Sequence, residues 1–171
     1  ISARRGGLVA IKGTGVRMLD ASPSDFSVID LSGRLLEGPR PSSEYRMHLM
    51  VYAADGSIGA IVHAHPPYTI SLASAGVAPV PSTEEARLYY DRVCEVGVLP
   101  PGSEELARSV SAAVSSGCRA ILLRGHGIVF AARDLKEAVD GAVAEERSSQ
   151  VQFMGLLLDL LQKIYLSCGG P

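Results

Sequence analysis

Residues 119–132 read Arg-Ala-Ile-Leu-Leu-Arg-Gly-His-Gly-Ile-Val-Phe-Ala-Ala, and this stretch decides the class of fold. The apolar runs at 119–124 and 128–132 are typical of buried strands, and a short Gly-His-Gly turn separates them. Neighbouring parallel strands would need a crossover connection of about a dozen residues or more. The pattern therefore predicts two strands joined by a tight turn, in a sheet that is mixed or largely antiparallel.

Outward from this hairpin, short strands alternate with helices. Apolar spacing and turn residues predict strands at 8–11, 26–31 and 57–65, and helices from Pro41-Ser42-Ser43-Glu44 to about 54, at 68–75, 84–92 and 103–115, and after Asp134. The expected fold is a single α/β domain over residues 1–171, with a central mixed, largely antiparallel sheet flanked by helices. Because the chain opens on Ile1 without a signal peptide, we expect N-terminal residues to be missing.

Composition excludes several classes of function. Apolar residues make up 47% of the 171 residues, which is enough for a sizeable core. The net charge is −2 without a block of like charge, so a nucleic-acid partner is not expected. The apolar stretch 153–158 is too short to span a membrane. Cys94, Cys118 and Cys168 are an odd number at wide spacing, which indicates no disulfide framework and predicts a reducing, cytoplasmic location.

The final helix carries more apolar residues than one buried face needs. Leu156, Leu157, Leu160, Leu161 and Ile164 recur at spacings of three and four. We therefore expect this helix to pack against a neighbouring subunit. Its acidic residues Glu145, Glu146 and Asp159 are expected to be solvated or interfacial charges.

Three of the four histidines lie where strands end or turn. His63 and His65 are two residues apart on a predicted strand, so their imidazoles point to the same face. His126 is the natural third ligand, because Gly125 and Gly127 remove side-chain bulk on either side of it. Three histidines with one open position define a catalytic Zn²⁺ site. The competing interpretation of His63 and His65 alone is an ordinary surface or core pair.

Several motifs together resemble one known family. They are Ile1–Arg4, Ile11–Val16, Arg40–His48, Val62–Tyr68 and Leu123–Gly127. In order and separation they are similar to the motifs of the class II aldolase/adducin family, and they span most of the chain. The Gly-Asn that opens the family's first motif does not occur here.

The resemblance implies roles for individual residues. Glu44 corresponds to the family's catalytic acid/base; by itself it would be interpreted as a first-turn residue that complements the helix dipole. Thr14, Gly15, Ser42 and Ser43 match the residues that bind a substrate phosphate, although a serine near a helix start is usually only a cap. His48 lies one helical turn after Glu44, and we expect it to form structural hydrogen bonds rather than to bind metal.

The implied function is a zinc-dependent aldolase that cleaves L-fuculose 1-phosphate, or a similar sugar phosphate, to dihydroxyacetone phosphate and L-lactaldehyde. The alternatives are a sugar-phosphate 4-epimerase, a methylthioribulose-1-phosphate dehydratase and a non-catalytic adducin-like interaction module. The epimerase pattern tends to have Asp where Glu44 stands, and an interaction module has no need of metal ligands.

The resemblance also implies a homotetramer with active sites at subunit interfaces, where a neighbour's tyrosine protonates the departing aldehyde. Residues 95–105, where that tyrosine is expected, contain none. Tyr89, Tyr90 and Tyr165 are the remaining candidates, and the role stays unassigned.

Overall fold

A computed structural model describes residues 1–168, which form one eight-stranded sheet and five α-helices. The strands are β1 (Ser2–Arg5), β2 (Leu8–Lys12), β3 (Phe26–Asp30), β4 (Leu35–Glu37), β5 (Ala60–Ala64), β6 (Val93–Val96), β7 (Ala120–Leu123) and β8 (Gly127–Ala132). The helices are α1 (Tyr45–Ala54), α2 (Pro67–Ser74), α3 (Glu84–Tyr89), α4 (Glu104–Ser115) and α5 (Leu135–Ser167).

The strand order across the sheet is β4-β3-β2-β1-β5-β8-β7-β6. Every neighbouring pair is antiparallel except β6 and β7, which are parallel. The predicted hairpin is present, with Leu123 of β7 opposite Gly127 of β8. This confirms the mixed, largely antiparallel α/β fold.

Three strands were not predicted from the sequence. β1 reads Ser-Ala-Arg-Arg and would not be recognised as a buried strand, yet it lies between β2 and β5. Arg4 stabilises it by donating to the backbone carbonyls of Tyr52, Gly56 and Ile58 at 2.9, 2.6 and 2.7 Å. β4 and β6 have only three and four residues at the two edges of the sheet. Such short strands depend on tertiary pairing rather than on local propensity.

Each face of the sheet is covered by different helices. α1 and α4 pack on one face, where Met47, Val51, Val110 and Val114 are buried with the inward residues of the strands. The N-terminal half of α5 crosses the other face through small residues, so that Gly141 meets the Phe130 ring. The C-terminal half of α5 leaves its apolar residues exposed, including Leu156, Leu160 and Ile164.

Two expectations were wrong, one about the acidic residues Glu145 and Glu146 of α5 and one about the cysteines. Glu145 is fully buried, and Glu146 binds the first turn of α2, because α5 packs directly on that helix. Cys94 and Cys118 form a disulfide between β6 and the segment before β7, since the fold brings Cα atoms 24 residues apart to within 6.2 Å. Among the helices of residues 1–168, none combines the length and the apolar composition of a membrane span.

Candidate active site

His63, His65 and His126 come together at the end of β5, as predicted. One potential ligand atom from each residue lies within 4.8 Å of the others. The ring centroids are 4.9 Å apart for His63 and His65, 4.8 Å for His63 and His126, and 5.2 Å for His65 and His126. This arrangement can hold one metal ion with three protein ligands.

Strand pairing positions the triad. His63 lies opposite Val129 in the antiparallel pair of β5 and β8, and His65 directly follows the last residue of β5. His126 occupies the turn immediately before β8, so the turn closes over the two strand histidines. Gly127 makes this approach possible. A Cβ there would clash with the Ala64 carbonyl and would lie 2.9 Å from Cδ2 of His65.

Hydrogen bonding orients the His63 ring for a metal. Its Nδ1 lies 2.8 Å from the carbonyl oxygen of Ile128, an acceptor that requires the proton on Nδ1. The lone pair of Nε2 is then available as a ligand, which is the arrangement of most metal-binding histidines.

All three imidazoles are disposed to remain neutral. Burial lowers the pKa of His63 to about 4 and outweighs the opposing hydrogen bond to Ile128. Burial also lowers the pKa of His65, with a further contribution from His126, and it lowers the pKa of His126. Because only the neutral ring binds a metal, the triad is ready to accept one near neutral pH.

Two buried polar atoms, one in the triad and one on the neighbouring Glu44, support the assignment of a metal. Oε2 of Glu44 and Nδ1 of His126 are buried without a hydrogen-bond partner among the described residues. Buried polar atoms are normally paired, so a missing partner such as an ion is expected here. Nitrogen ligands with an adjacent carboxylate form a donor set that suits Zn²⁺.

Glu44 immediately precedes α1 and is only 7% exposed. Burial raises the pKa of its carboxyl, against smaller opposing effects of the Gly102 backbone N–H and of His65. A carboxyl with a raised pKa next to a metal site is typical of a group that exchanges protons with a substrate. The helix that the sequence predicts from residues 41–44 onward begins at Tyr45, and Glu44 is its N-cap residue.

The four predicted phosphate residues line the same cavity as the triad, which has a volume of about 330 Å³. Thr14 and Gly15 reach it from the loop after β2, where Gly15 has a φ of +74°. The Thr14 N–H donates to the Arg40 carbonyl at 2.9 Å and so joins this loop to the Ser42–Ser43 segment. The three histidines and the four residues expected to bind phosphate thus line a single cavity.

Lys12 lines this cavity and was missed in the sequence analysis. Its ammonium group donates to the carbonyl oxygens of Gly13 and Val16 at 3.0 and 2.7 Å, across the loop that carries Thr14. Lys12 lies two residues before Thr14 in the Ile11–Val16 motif, and this position could have identified it as a candidate for the site.

His48 has a structural partner, in agreement with the expectation. Its Nδ1 lies 2.7 Å from the Ser2 hydroxyl, which in turn lies 2.7 Å from the Tyr52 hydroxyl, all in the interior. The tyrosine candidates divide by exposure. Tyr90 is 4% exposed and packs on Phe130, so it cannot reach a neighbouring subunit, whereas Tyr165 is 56% exposed on α5.

Comparison with known proteins agrees with this geometry. Residues 1–153 match the Class II Aldolase and Adducin N-terminal domain family. The chain is 32% identical over 154 residues to an L-fuculose phosphate aldolase of Methanococcus maripaludis, covering 90% of this chain and 83% of the relative. It is 33% identical over 150 residues to a 3-oxo-tetronate 4-phosphate decarboxylase of Haemophilus influenzae, covering 85% of this chain and 71% of the relative.

A solved structure of an L-fuculose 1-phosphate aldolase superposes with a TM-score of 0.83 at 31% identity, covering 92% of this chain and 75% of the other. Since the family match spans residues 1–153 and includes every residue of the site, the chain belongs to the class II aldolase and adducin family.

Proposed function

We propose that the chain is a zinc-dependent lyase that cleaves L-fuculose 1-phosphate, or a similar sugar phosphate, to dihydroxyacetone phosphate and L-lactaldehyde. The observation that carries the proposal is the shared cavity. Three neutral imidazoles, the buried carboxyl of Glu44 and four candidate phosphate-binding residues all line it. The resemblance to L-fuculose phosphate aldolases supports the choice of substrate.

His63, His65 and His126 would hold the metal. When bound, Zn²⁺ supplies a Lewis acid for the negative charge that develops on the substrate's carbonyl oxygen as the carbon–carbon bond breaks. The short connection between β7 and β8 and the Ile128 hydrogen bond keep two of the imidazoles in place before substrate arrives. A site organised in advance does not need to reorganise during the reaction.

Glu44 would move the proton. After the bond breaks, the carbon next to the ketone must gain a proton, and in the reverse reaction it must lose one. Glu44 is buried and adjacent to His65, and its raised pKa brings its affinity for a proton closer to that of the substrate.

The phosphate would bind between the loop after β2 and the start of α1. Ser42 and Ser43 lie just before Glu44, at the start of α1, whose first N–H groups and dipole favour an anion. Gly15 adopts a φ of +74°, which favours glycine, and the space around its Cα is open. A phosphate bound here would hold the substrate with its ketone toward the triad.

We also propose a homotetramer with active sites between subunits. The exposed apolar side chains on the C-terminal half of α5 support it, because a monomer would leave them in water. Tyr165 lies on this helix and is the candidate for exchanging a proton with the aldehyde oxygen in a neighbour's site: it would take the proton of the substrate hydroxyl during cleavage and return it in the reverse reaction. Light scattering should give a mass near four chains; a fully active monomer would contradict this assembly.

A second candidate reaction is decarboxylation of a 3-oxo acid phosphate. The specific observation is the absence of a tyrosine from residues 95–105. When a carbon–carbon bond breaks to release carbon dioxide, the bonding electrons stay on the substrate carbon. The ionised carboxylate has no proton to lose, whereas the hydroxyl that becomes an aldehyde must give one up to a group such as a tyrosine. The relative described as a 3-oxo-tetronate 4-phosphate decarboxylase is 33% identical to this chain.

One set of incubations separates these reactions. Zinc-loaded protein is given L-fuculose 1-phosphate, ribulose 5-phosphate, methylthioribulose 1-phosphate and 3-oxo-tetronate 4-phosphate separately. Release of dihydroxyacetone phosphate from L-fuculose 1-phosphate supports the aldolase, and release of carbon dioxide supports the decarboxylase. Glu105→Gln, an exposed change on α4, is the matched control for Glu44→Gln. If only the ribulose or methylthioribulose substrate reacts, fuculose 1-phosphate is the wrong substrate.

A further inference from the structure

A pair of carboxyl groups lies between α5 and α2, on the side of the sheet away from α1. Glu145 is fully buried, and the Thr69 hydroxyl lies 2.8 Å from its Oε2. The same hydroxyl lies 2.8 Å from Oε2 of Glu146. The Ser149 hydroxyl donates to Oε1 of Glu145 at 3.1 Å.

The number of protons in this cluster does not match two ionised carboxylates. A hydroxyl has one hydrogen and can donate it to one acceptor, while an ionised carboxylate only accepts. If both acids were charged, one of the two 2.8 Å contacts of Thr69 would join two oxygens with no hydrogen between them. A proton on one carboxyl removes this conflict, because that acid then donates to Thr69 and Thr69 donates to the other acid.

The surroundings assign the proton to Glu145. Glu146 accepts the backbone N–H groups of Tyr68 and Thr69 at 2.9 and 3.0 Å, which stabilise its ionised form. Among residues 1–168 no N–H donates to Glu145, and burial raises its pKa to about 7, with a further small contribution from Glu146.

In the part of the chain that the structure describes, no cation offsets a second negative charge in this cluster. Within residues 1–168 neither carboxyl forms an ion pair, and Arg147 instead lies 3.5 Å from Glu85 of α3. The strands beneath α5 contribute apolar residues such as Val62, Ile128 and Phe130. Tyr68 on α2 and Tyr90 after α3 are further titratable side chains near the cluster, and burial raises the pKa of Tyr90 to about 12.

We propose that Glu145 is a neutral carboxylic acid that donates to Thr69, so that Thr69 donates to an ionised Glu146, which holds the first turn of α2. That turn begins two residues after His65, with Pro66 between them. Glu146 is therefore a positioning residue for the His65 side of the triad. The part that concerns metal rests on the proposed zinc site, whereas the protonation state does not.

The protonation state is tested by infrared spectroscopy. The difference spectrum between wild-type protein and Glu145→Gln at pH 7 should contain the carbonyl stretch of a protonated carboxyl group. Glu145→Gln should fold like the wild type, because its amide nitrogen donates to Thr69 and its oxygen accepts from Ser149. A difference spectrum with carboxylate bands alone, or a Glu145→Gln protein that fails to fold, would overturn the assignment.

The positioning role is tested by zinc titration against a competing chelator. Glu146→Gln replaces one accepting oxygen with an amide nitrogen that faces an N–H donor, and we expect zinc affinity to fall by about 10-fold. Glu145→Gln and the exposed control Glu105→Gln should keep wild-type affinity. Equal affinity in Glu146→Gln and the wild type would refute the positioning role. If the wild type binds no zinc, the proposed function fails, and the infrared result still decides the state of Glu145.

Discussion

Replacement of Gly127 by alanine tests whether the close approach of the His126 turn assembles the triad. The added Cβ would clash with the Ala64 carbonyl and would lie 2.9 Å from the His65 ring. Overpacking of this kind typically costs about 1–3 kcal/mol. Because the main obstacle is the backbone of a paired strand, we expect the upper end, about 3 kcal/mol, which corresponds to a melting temperature lower by roughly 6–12 °C.

The matched control is Gly125→Ala, two residues earlier in the same turn. Gly125 has a φ of +70° and open space around its Cα, so alanine there meets only a conformational cost of about 1–2 kcal/mol. Both variants should therefore be less stable than the wild type. Only Gly127→Ala should also lose zinc affinity, since only it displaces the His65 ring.

Thermal unfolding and zinc competition with a chromophoric chelator measure the two effects separately. We expect zinc affinity to fall by at least about 10-fold in Gly127→Ala and to stay near wild type in Gly125→Ala. A Gly127→Ala protein with wild-type stability and zinc affinity would refute the packing argument. Equal loss of zinc affinity in both variants would show that turn conformation, rather than the approach to His65, controls the site.

Three further predictions concern proton transfer, pH and the disulfide. Glu44→Gln should keep fold and zinc content but lower the turnover number by about 10²- to 10⁴-fold, and near wild-type turnover would rule out its catalytic role. Burial lowers the pKa of His63 from 6.5 to about 4. Between these two pH values the unfolded chain binds a proton that the native ring does not. The free energy of unfolding of the metal-free protein should therefore fall by about 3 kcal/mol as the pH falls from 6.5 to 4. Denaturant unfolding should show a smaller loss in His63→Phe. The Cys94–Cys118 disulfide links residues 24 positions apart, so its reduction should lower the free energy of unfolding by about 3 kcal/mol. A Cys94→Ala/Cys118→Ala protein should be insensitive to reductant, and a wild-type melting curve unchanged by reductant would contradict the bond.

The clustering of the three histidines could be predicted because its signals are local. A strand places His63 and His65 on one face by its two-residue period, and glycines mark the turn at His126. The pairing of β5 with β8 then follows a register in which His63 faces Val129. That register depends on the packing of the whole sheet, and no local pattern specifies it.

Features that depend on contacts distant in sequence were not predicted. The acid pair on α5 looked like surface charge, because its partner Thr69 lies 76 residues earlier in the chain. The two bonded cysteines gave no spacing signal for the same reason. β1 was missed because three of its four side chains are polar, while its backbone is held between two other strands.

The metal content of the purified protein tests the central claim most directly, because the proposed chemistry depends on a metal held by His63, His65 and His126. Elemental analysis should find about one zinc per chain in the wild type, as expected for a three-histidine site. The triple variant His63→Ala/His65→Ala/His126→Ala should fold and contain essentially none. A folded triple variant with the full zinc content of the wild type would contradict the assigned site.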